Sequence, residues 1–319
     1  MRTAMIAPIH HEHGIHTLDA EYVRPGLAAI HLIVEAGRVA IVDTGTNRSV
    51  PTVLAALGEL GLTPADVEYV IVTHVHLDHA GAAGALLAAC PNARLVVHPK
   101  GARHMIDPAK LEAGTIAVYG EALFRELYGH IVPCPADRVI EANDGHRLEL
   151  AGRVLTFIDT PGHARHHFCI HDAQSESLFT GDTFGISYRE FDVEGHPFIF
   201  PTSTPVQFEP EALHASIERL LALEPEAAYL THYSRITGLE DLAVHLHELI
   251  DEYVERTLAA PGVGAERHAW LKQALEEVLM QRLRAHGCTL DDAVCRELLA
   301  NDVELNAQGL LVWRDREPR

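Results

Sequence analysis

The sequence predicts an α/β protein in which two layers of strand and helix pack face to face, followed by a helical C-terminal extension. Three observations favour this fold class. Short apolar runs of strand length alternate with helical patterns. This series of strands and helices occurs twice, once in each half of the chain before residue 239. From residue 239 the pattern is helical to the end, so we predict a main domain over residues 1–238 and a helical extension over residues 239–319.

The first half of the main domain begins with a predicted β-hairpin. Residues 28–43 form two β-rich segments around a turn at Gly37. Asn47 is predicted to cap a helix that has Pro51 in its first turn and Gly61 just past its end. The apolar run "VEYVIV" that follows has the length and composition of a buried strand.

The second half of the main domain is richer in strands. Residues 99–130 are predicted to be mainly helical, and residues 138–184 to form a series of short strands. Residues 185–208 contain aromatics, glycines and prolines without periodicity, which predicts a loop of a length that is often functional. An amphipathic helix, "EPEALHASIERLLAL", and a strand, "AAYLTH", then lead to the helical extension.

Composition excludes several classes of function. The 45 acidic residues outnumber the 25 basic ones, and the resulting formal charge of −20 disfavours nucleic acid and anionic membranes as partners. No apolar run approaches the roughly eighteen residues of a membrane span. The five cysteines are scattered and form no CxxC pair, so we expect reduced thiols and a cytoplasmic location, with no signal peptide.

One stretch concentrates groups that can bind metal ions. "VTHVHLDHAG" places three histidines and an aspartate directly after a predicted strand, and three later strand-like runs each end in a further histidine or aspartate. Loops at the ends of adjacent strands can converge, and imidazole with carboxylate is a donor set for borderline divalent metals. The predicted metal ligands are His74, His76, Asp78, His79, His163, Asp182 and His232.

Spacing divides these residues between two ions. On an extended loop His74 and His76 point the same way, and His163 would complete three nitrogens at the first metal. His232 would join Asp78 and His79 at the second metal, with Asp182 bridging the two. Two ions about 3.5–4 Å apart can share a hydroxide and polarise a carbonyl or phosphoryl oxygen. The pattern therefore predicts hydrolysis without a protein nucleophile, and neither GxSxG, a P-loop nor GxGxxG occurs.

These residues, in this order and in this strand context, resemble the HxHxDH…H…D…H pattern of the metallo-β-lactamase-fold superfamily over residues 28–235. The resemblance implies a four-layer αβ/βα sandwich. Within the superfamily, the sequence resembles a hydrolase-like subgroup with a glyoxalase II-related core. The resemblance also implies that Asp43 braces the motif loop, and that Asp78 has a catalytic role in orienting the hydroxide or protonating the leaving group.

Differences between this sequence and the motifs of known superfamily members exclude some of the activities that the resemblance would allow. Class B1 β-lactamases have Cys at the second metal and Arg in place of His79, and flavodiiron proteins have Glu in place of His76. Glyoxalase II and persulfide dioxygenases share the metal pattern, but the basic glutathione-binding residues expected after Asp182 are missing from "GDTFGISYREF". Antibiotic hydrolysis and oxygen reduction are therefore disfavoured, and glutathione thioesters become a minority option.

We accordingly predict a cytoplasmic dinuclear-metal hydrolase that uses a metal-bridging hydroxide on a small-molecule ester, lactone, thioester or phosphodiester. Zinc is the default metal, and iron or manganese fits the same ligands. Two alternatives stay open: an iron-loaded redox, oxygen-binding or persulfide-dioxygenase-like protein, and a protein with structural metals whose C-terminal helices bind a partner. The C-terminal helices are expected to pack on the core, while a homodimer interface or a lid over the site is the alternative.

Other polar and aromatic residues remain ambiguous from sequence. The histidines at positions 10, 11, 13 and 16 are not framed by carboxylates or cysteines at ligand spacing, and we exclude them from the site. Residues 188, 189, 198 and 200 of the long loop could shape a substrate pocket or anchor the loop, and Tyr22 and Arg24 carry the same ambiguity. If His166 and His167 lie in a strand, one faces the core and the other the surface, so a buttressing hydrogen bond is expected rather than metal ligation.

Overall fold

The structure is a computed structural model that describes residues 7–203 and 206–316. Its strands form a seven-stranded sheet and a six-stranded sheet over these residues. By the density of backbone contacts the chain divides into two compact units. The first unit holds both sheets and spans residues 1–159, 166–181 and 225–235. The second holds residues 160–165, 182–224 and 236–319.

The first sheet follows chain order from β1 to β7. Its first four strands pair antiparallel, and the next three are added in parallel. The predicted hairpin around Gly37 is confirmed, because the strands on either side of it pair from His31↔Val42 to Glu35↔Arg38. The strands are β1 Ile9–His10, β2 Ile15–Asp19, β3 Ala29–Glu35, β4 Arg38–Val42, β5 Val67–Ile71, β6 Arg94–Val97 and β7 Val139–Glu141.

The second sheet has the order β13-β12-β11-β10-β9-β8. It is antiparallel from β8 to β11, and β12 joins β11 in parallel after the helix that the sequence predicts between them. Its strands are β8 Arg147–Leu150, β9 Arg153–Asp159, β10 Phe168–Asp172, β11 Ser177–Gly181, β12 Ala227–Leu230 and β13 Ser234–Ile236.

One hydrophobic core cluster takes side chains from both sheets. Ile33 and Val42 of the first sheet belong to it together with Phe157, Phe179 and Tyr229 of the second. Alternate residues of β8 are buried and exposed, as expected of a strand with one face on the core. Burial of these large side chains is the main stabilising contribution to the sandwich, at about 1.5–3 kcal/mol for each fully buried one.

The helices of the first unit connect the strands of its first sheet. The helix after β4 begins with a 3-10 turn at Asn47–Ser49, and Thr46 rather than Asn47 supplies the side chain that caps this turn. The prediction of Asn47 as the cap was therefore wrong by one residue. The helices are α1 Val50–Glu59, α2 Leu77–Ala80, α3 Ala83–Ala89, α4 Pro99–Ile106, α5 Ala109–Tyr119 and α6 Glu121–Leu127.

The second unit contains the long loop and the helices α7 Pro210–Leu221, α8 Leu239–Ala259, α9 Gly264–His286 and α10 Asp292–Arg316. In its described residues the loop is irregular as predicted, apart from a 3-10 turn at Arg189–Phe191 and two isolated β-bridges, Ile186↔Phe200 and Val193↔His196. It is anchored on α10, because the Tyr188 hydroxyl donates to Asp302 and the Ser203 N–H donates to Asn306. Tyr188 therefore anchors the loop, which is one of the two roles that the sequence left open for it.

The predicted α/β class with a helical C-terminal region is confirmed by these sheets and helices. The predicted domain boundary between residues 238 and 239 stays a prediction. In the part of the chain that the structure describes, no helix combines the length and the apolar composition needed to cross a bilayer.

Candidate metal centre

The histidine-rich motif begins on the loop after the parallel strand β5, which carries His74 and His76, and continues into α2, which carries Asp78 and His79. His76 has extended backbone and precedes the first turn of α2, where the N–H groups of His79 and Ala80 donate to its carbonyl. His74 and His76 are two residues apart in the chain, and His74 Nε2 lies 2.8 Å from His76 Nδ1. The expectation that these two rings point the same way is confirmed.

Asp78, His79 and His232 form a compact group within the first unit. Their potential ligand atoms all lie within 4.8 Å of one another. Asp78 Oδ2 is 3.6 Å from His79 Nε2 and 3.3 Å from His232 Nε2. The two histidines are buried, and Asp78 is the partly exposed member of the group. His232 is delivered by the turn that follows β12, 153 residues after His79 in the chain.

Hydrogen bonds fix which nitrogen of each histidine faces Asp78. His79 Nδ1 lies 2.8 Å from Asp43 Oδ2, and His232 Nδ1 lies 2.7 Å from the Leu27 carbonyl oxygen. Both partners are acceptors, so each Nδ1 carries the proton and donates it. Each Nε2 of the neutral rings is then an acceptor directed at a carboxylate, which is also an acceptor. Three converging acceptors fit a divalent cation, which neutral imidazole and carboxylate bind well.

Asp43 supports the group of Asp78, His79 and His232 through buried hydrogen bonds. Its carboxylate is fully buried and accepts hydrogen bonds from the Thr73 N–H and hydroxyl, from His79 Nδ1 and from the Thr231 hydroxyl. Its backbone has a φ of 56°, a left-handed conformation that aspartate tolerates better than most residues. Asp43 thus holds the start of the motif and orients one of its rings, as the resemblance implied.

His163 and Asp182 belong to the second unit. His163 Nε2 lies 3.3 Å from Asp182 Oδ2, and His163 Nδ1 lies 3.2 Å from the carbonyl oxygen of Thr202. The carbonyl requires the proton on Nδ1, which again leaves Nε2 as an acceptor facing a carboxylate. The prediction that these two side chains complete the site of His74 and His76 joins residues of both units, and it stays a prediction.

His166 and His167 are both buried, so the expectation that one of them faces the surface was wrong. They precede β10 instead of lying within it, and the alternation of a strand does not apply to them. The His167 ring stacks on that of His74, with centroids 4.8 Å apart and planes 26° apart. A Cβ at Gly181 would lie only 2.6 Å from His167 Nε2, so the close packing here requires glycine.

A tyrosine pair near Asp78 includes a residue that the sequence did not single out. The hydroxyls of Tyr22 and Tyr128 lie 2.6 Å apart, and both rings are buried. Burial raises the pKa of Tyr22 well above its usual range, and the Asp78 carboxylate adds to this. Tyr128 lies just after α6, with no periodic or motif signal to mark it, so only the folded chain reveals the pair.

Fold and site together define an α/β sandwich protein in which histidine and carboxylate side chains meet beyond the ends of strands. Residues 23–232 match the model of the metallo-beta-lactamase superfamily. This match covers more than half of the chain, and the chain belongs to that superfamily. Its membership of the family and its fold, both predicted from the motif, are confirmed.

Relatives extend the comparison to named proteins. A metallo-beta-lactamase fold-containing protein, ST1585 of Sulfurisphaera tokodaii, is 25% identical over 259 residues, which cover 79% of this chain and 91% of the relative. The acyl-coenzyme A thioesterase MBLAC2 of Gallus gallus is 28% identical, covering 53% of this chain and 62% of the relative. A hydroxyacylglutathione hydrolase of Pseudomonas paraeruginosa is 29% identical, covering 63% and 59%. The chain thus spans less than two thirds of the length of the latter two relatives.

Two solved structures have the same fold over nearly the whole chain. The structure of TTHA1429 from Thermus thermophilus aligns with a TM-score of 0.67 at 23% identity, covering 95% of this chain and 93% of that one. The structure of ST1585 aligns with a TM-score of 0.63 at 22% identity, covering 93% and 98%. At these identities the likeness shows the fold, including the helical C-terminal region.

Proposed function

We propose that the protein is a metal-dependent hydrolase with a dinuclear site. The observation that carries this proposal is the convergence of His79 Nε2 and His232 Nε2 on Asp78 Oδ2, with both rings held in the tautomer that a cation requires. A fold maintained without a cation would gain nothing from three acceptors in contact. The seven predicted ligands are His74, His76 and His163 for one ion, Asp78, His79 and His232 for the other, and Asp182 as the bridge between the two.

The bound ions would supply Lewis-acid activation of a water molecule and of the substrate's carbonyl or phosphoryl oxygen. Zinc is the metal we propose, with iron or manganese as the alternatives for the same nitrogen and oxygen donors. Asp43 orients the ring of His79, and the Leu27 carbonyl orients the ring of His232. The fold also places the partly exposed carboxylate of Asp78 beside these buried imidazoles. We assign the proton transfers to that carboxylate, Asp78, which is 21% exposed and can meet both water and substrate.

Among ester, lactone, thioester and phosphodiester substrates, we favour an acyl thioester. Two of the relatives are named for hydrolysis of acyl-coenzyme A and of hydroxyacylglutathione, and both of these compounds are acyl thioesters. A small-molecule substrate, a cytoplasmic location and a homodimer all stay predictions. The reduced state of the cysteines accords with such a location, since all five are buried and unbridged.

The test combines metal analysis with a substrate panel. The purified protein is assayed for bound metal and for hydrolysis of short and long acyl-coenzyme A, lactoylglutathione, p-nitrophenyl acetate, a lactone and bis-p-nitrophenyl phosphate. Asp78→Asn should lower turnover on the best substrate by at least about a hundredfold. Asp66→Asn, which changes a partly exposed carboxylate in a 3-10 turn, is the control and should leave turnover unchanged. Full metal occupancy with no hydrolysis, or iron with oxygen uptake, would contradict the proposal.

A further inference from the structure

Two helices of the second unit, α7 and α8, bring a second pair of histidines together away from the seven predicted ligands. His214 Nδ1 and His247 Nδ1 lie 2.5 Å apart, the ring centroids lie 4.8 Å apart and the ring planes differ by 22°, so the two rings face each other edge to edge. Each histidine has a carboxylate four residues later on its own helix, Glu218 on α7 and Asp251 on α8. Residues four apart lie on one face of a helix, so both helices present the same pair of groups to each other.

The carboxylates bind the histidines in a crossed arrangement. His214 Nε2 lies 3.1 Å from Asp251 on the opposite helix, and His247 Nε2 lies 2.8 Å from Glu218 on the opposite helix. An ionised carboxylate accepts hydrogen bonds and cannot donate them. Both Nε2 atoms therefore carry protons, and the Nδ1 atoms of the neutral rings are acceptors.

Two acceptor nitrogens at this distance repel each other unless a proton or a metal cation lies between them. We propose that His214 and His247 form a surface site for one borderline divalent metal ion, such as Zn²⁺, Ni²⁺ or Cu²⁺. The far nitrogen of each ring is bonded to a carboxylate, which is the arrangement that orients metal-binding histidines and raises their basicity. Mg²⁺ and Ca²⁺ prefer oxygen ligands and are not expected to bind here.

The site is reachable and needs little rearrangement. The side chains of His214 and His247 are 27% and 23% exposed, so an ion and its remaining water ligands have access. Metal–nitrogen bonds of about 2.0–2.1 Å at a tetrahedral angle would separate the two Nδ1 atoms by about 3.3 Å. The rings would have to move apart by less than about 1 Å, which small changes of side-chain torsion on two helices can supply. The bound ion would clamp α7 to α8.

The experiment starts from the metal-loaded protein after excess metal has been removed. Ni²⁺ or Zn²⁺ is then added, and uptake is followed by equilibrium dialysis. His214→Gln and His247→Gln should each take up one equivalent less than the unmodified protein. Asp251→Asn should weaken this binding by about 10- to 100-fold. Hydrolytic turnover and the metal retained before the addition should be unchanged in all three variants.

His130→Gln is the matched control, since His130 is an exposed histidine beside one carboxylate, Glu112, and should lose no equivalent. The exposed cross-strand pair His10 and His16 can take up an ion of its own, so the measured quantity is the difference between variants. In the Cu²⁺ form, electron paramagnetic resonance should show two nitrogen ligands that become one in either Gln variant. Equal uptake by the unmodified protein and both Gln variants would overturn the proposal, as would an absence of any additional uptake.

Discussion

His79 Nδ1 and Asp43 Oδ2 are 2.8 Å apart, and both side chains are completely removed from solvent. This contact links a predicted metal ligand to a carboxylate that also accepts from Thr73 and Thr231. The Asp43 carboxylate thereby holds Thr73 at the start of the motif and orients the predicted ligand His79. It also holds Thr231, which precedes the predicted ligand His232. The first prediction follows from it.

Asp43→Asn keeps the size of the side chain but removes its charge and two of its lone-pair positions. We expect a loss of about 2–4 kcal/mol in the free energy of unfolding, since the new NH2 group must face buried donors, either that of Thr73 or those of His79 and Thr231. Metal affinity should fall by about 10- to 100-fold. Urea unfolding and metal titration measure the two effects. Thr231→Val removes one donor alone and should cause the smaller change; an equal or larger effect would argue against Asp43 as the centre of the network.

Removal of metal should lower the melting temperature. A ligand held at about a thousand times its dissociation constant stabilises the native state by about 4 kcal/mol, which for a chain of this size is a shift of very roughly 5–15 °C. Treatment with a chelator, followed by calorimetry, should reveal this shift, and readdition of metal should reverse it. In His232→Gln the same treatment should produce a smaller shift. An identical shift would exclude His232 from the site.

Stability should fall in mild acid because of a histidine outside the metal centre. His31 is buried between the sheets and donates to the Leu230 carbonyl. Burial lowers the pKa of His31 to about 4 from the ordinary 6.5. Between these two values the unfolded chain binds more protons than the native one, so native stability decreases as the pH is lowered from 6.5 through 4. This group alone should contribute a loss of about 2 kcal/mol between pH 7 and pH 4.5.

His31→Gln retains a donor and an acceptor but cannot take up the proton. Urea unfolding at several pH values should therefore show a shallower acid dependence in this variant than in the unmodified protein, compared in the same metal state. Parallel curves for the two proteins would show that His31 does not contribute to the acid sensitivity.

A buried ion pair in the second sheet gives a prediction about stability. Arg153 is buried, binds Asp172 through Nε at 3.0 Å and through a second nitrogen, and donates to the His13 carbonyl at 2.6 Å. Arg153→Met leaves Asp172 buried without its cation and should cost about 3–5 kcal/mol of unfolding free energy. Adding Asp172→Asn to this variant should restore part of the loss. Strict additivity of the two substitutions would contradict a coupled pair.

The contact between Tyr188 and Asp302 should control the order of the long loop. The Tyr188 hydroxyl lies 3.0 Å from Asp302 Oδ2, and both residues are buried. Tyr188→Phe should cost about 1–2 kcal/mol of unfolding free energy. It should also increase amide hydrogen exchange over residues 185–203. Tyr69→Phe removes a hydroxyl at an exposed contact with the Glu149 carbonyl and serves as the control with a smaller effect.

Strands and helices with strong periodicity were predictable from sequence, and those without it were not. The run before the histidine motif was recognisable as β5, whereas β2 was not, because its residues, "IHTLD", alternate poorly and its burial depends on pairing with β3. Helix α10 extends to Arg316, in agreement with the helical pattern predicted from residue 239 onwards.

The candidate site shows the same division between local and tertiary information. Spacing alone predicted that His74 and His76 point together, because two residues on extended backbone share a face. The partners of Asp43 lie 30 to 188 positions away, and no local rule can identify them. His214 and His247 each lie on a helix that was predicted, but the meeting of the two faces depends on how α7 packs against α8.

The hydrogen bond from His232 to the Leu27 carbonyl spans 205 positions of the chain. During synthesis, every strand of the first sheet leaves the ribosome before this histidine does, because β7 ends at Glu141. A cation that needs Asp78, His79 and His232 together cannot guide the early assembly of that sheet. In a chain that begins to fold during synthesis, this sheet can form without the ion, which binds only once His232 has joined Asp78 and His79.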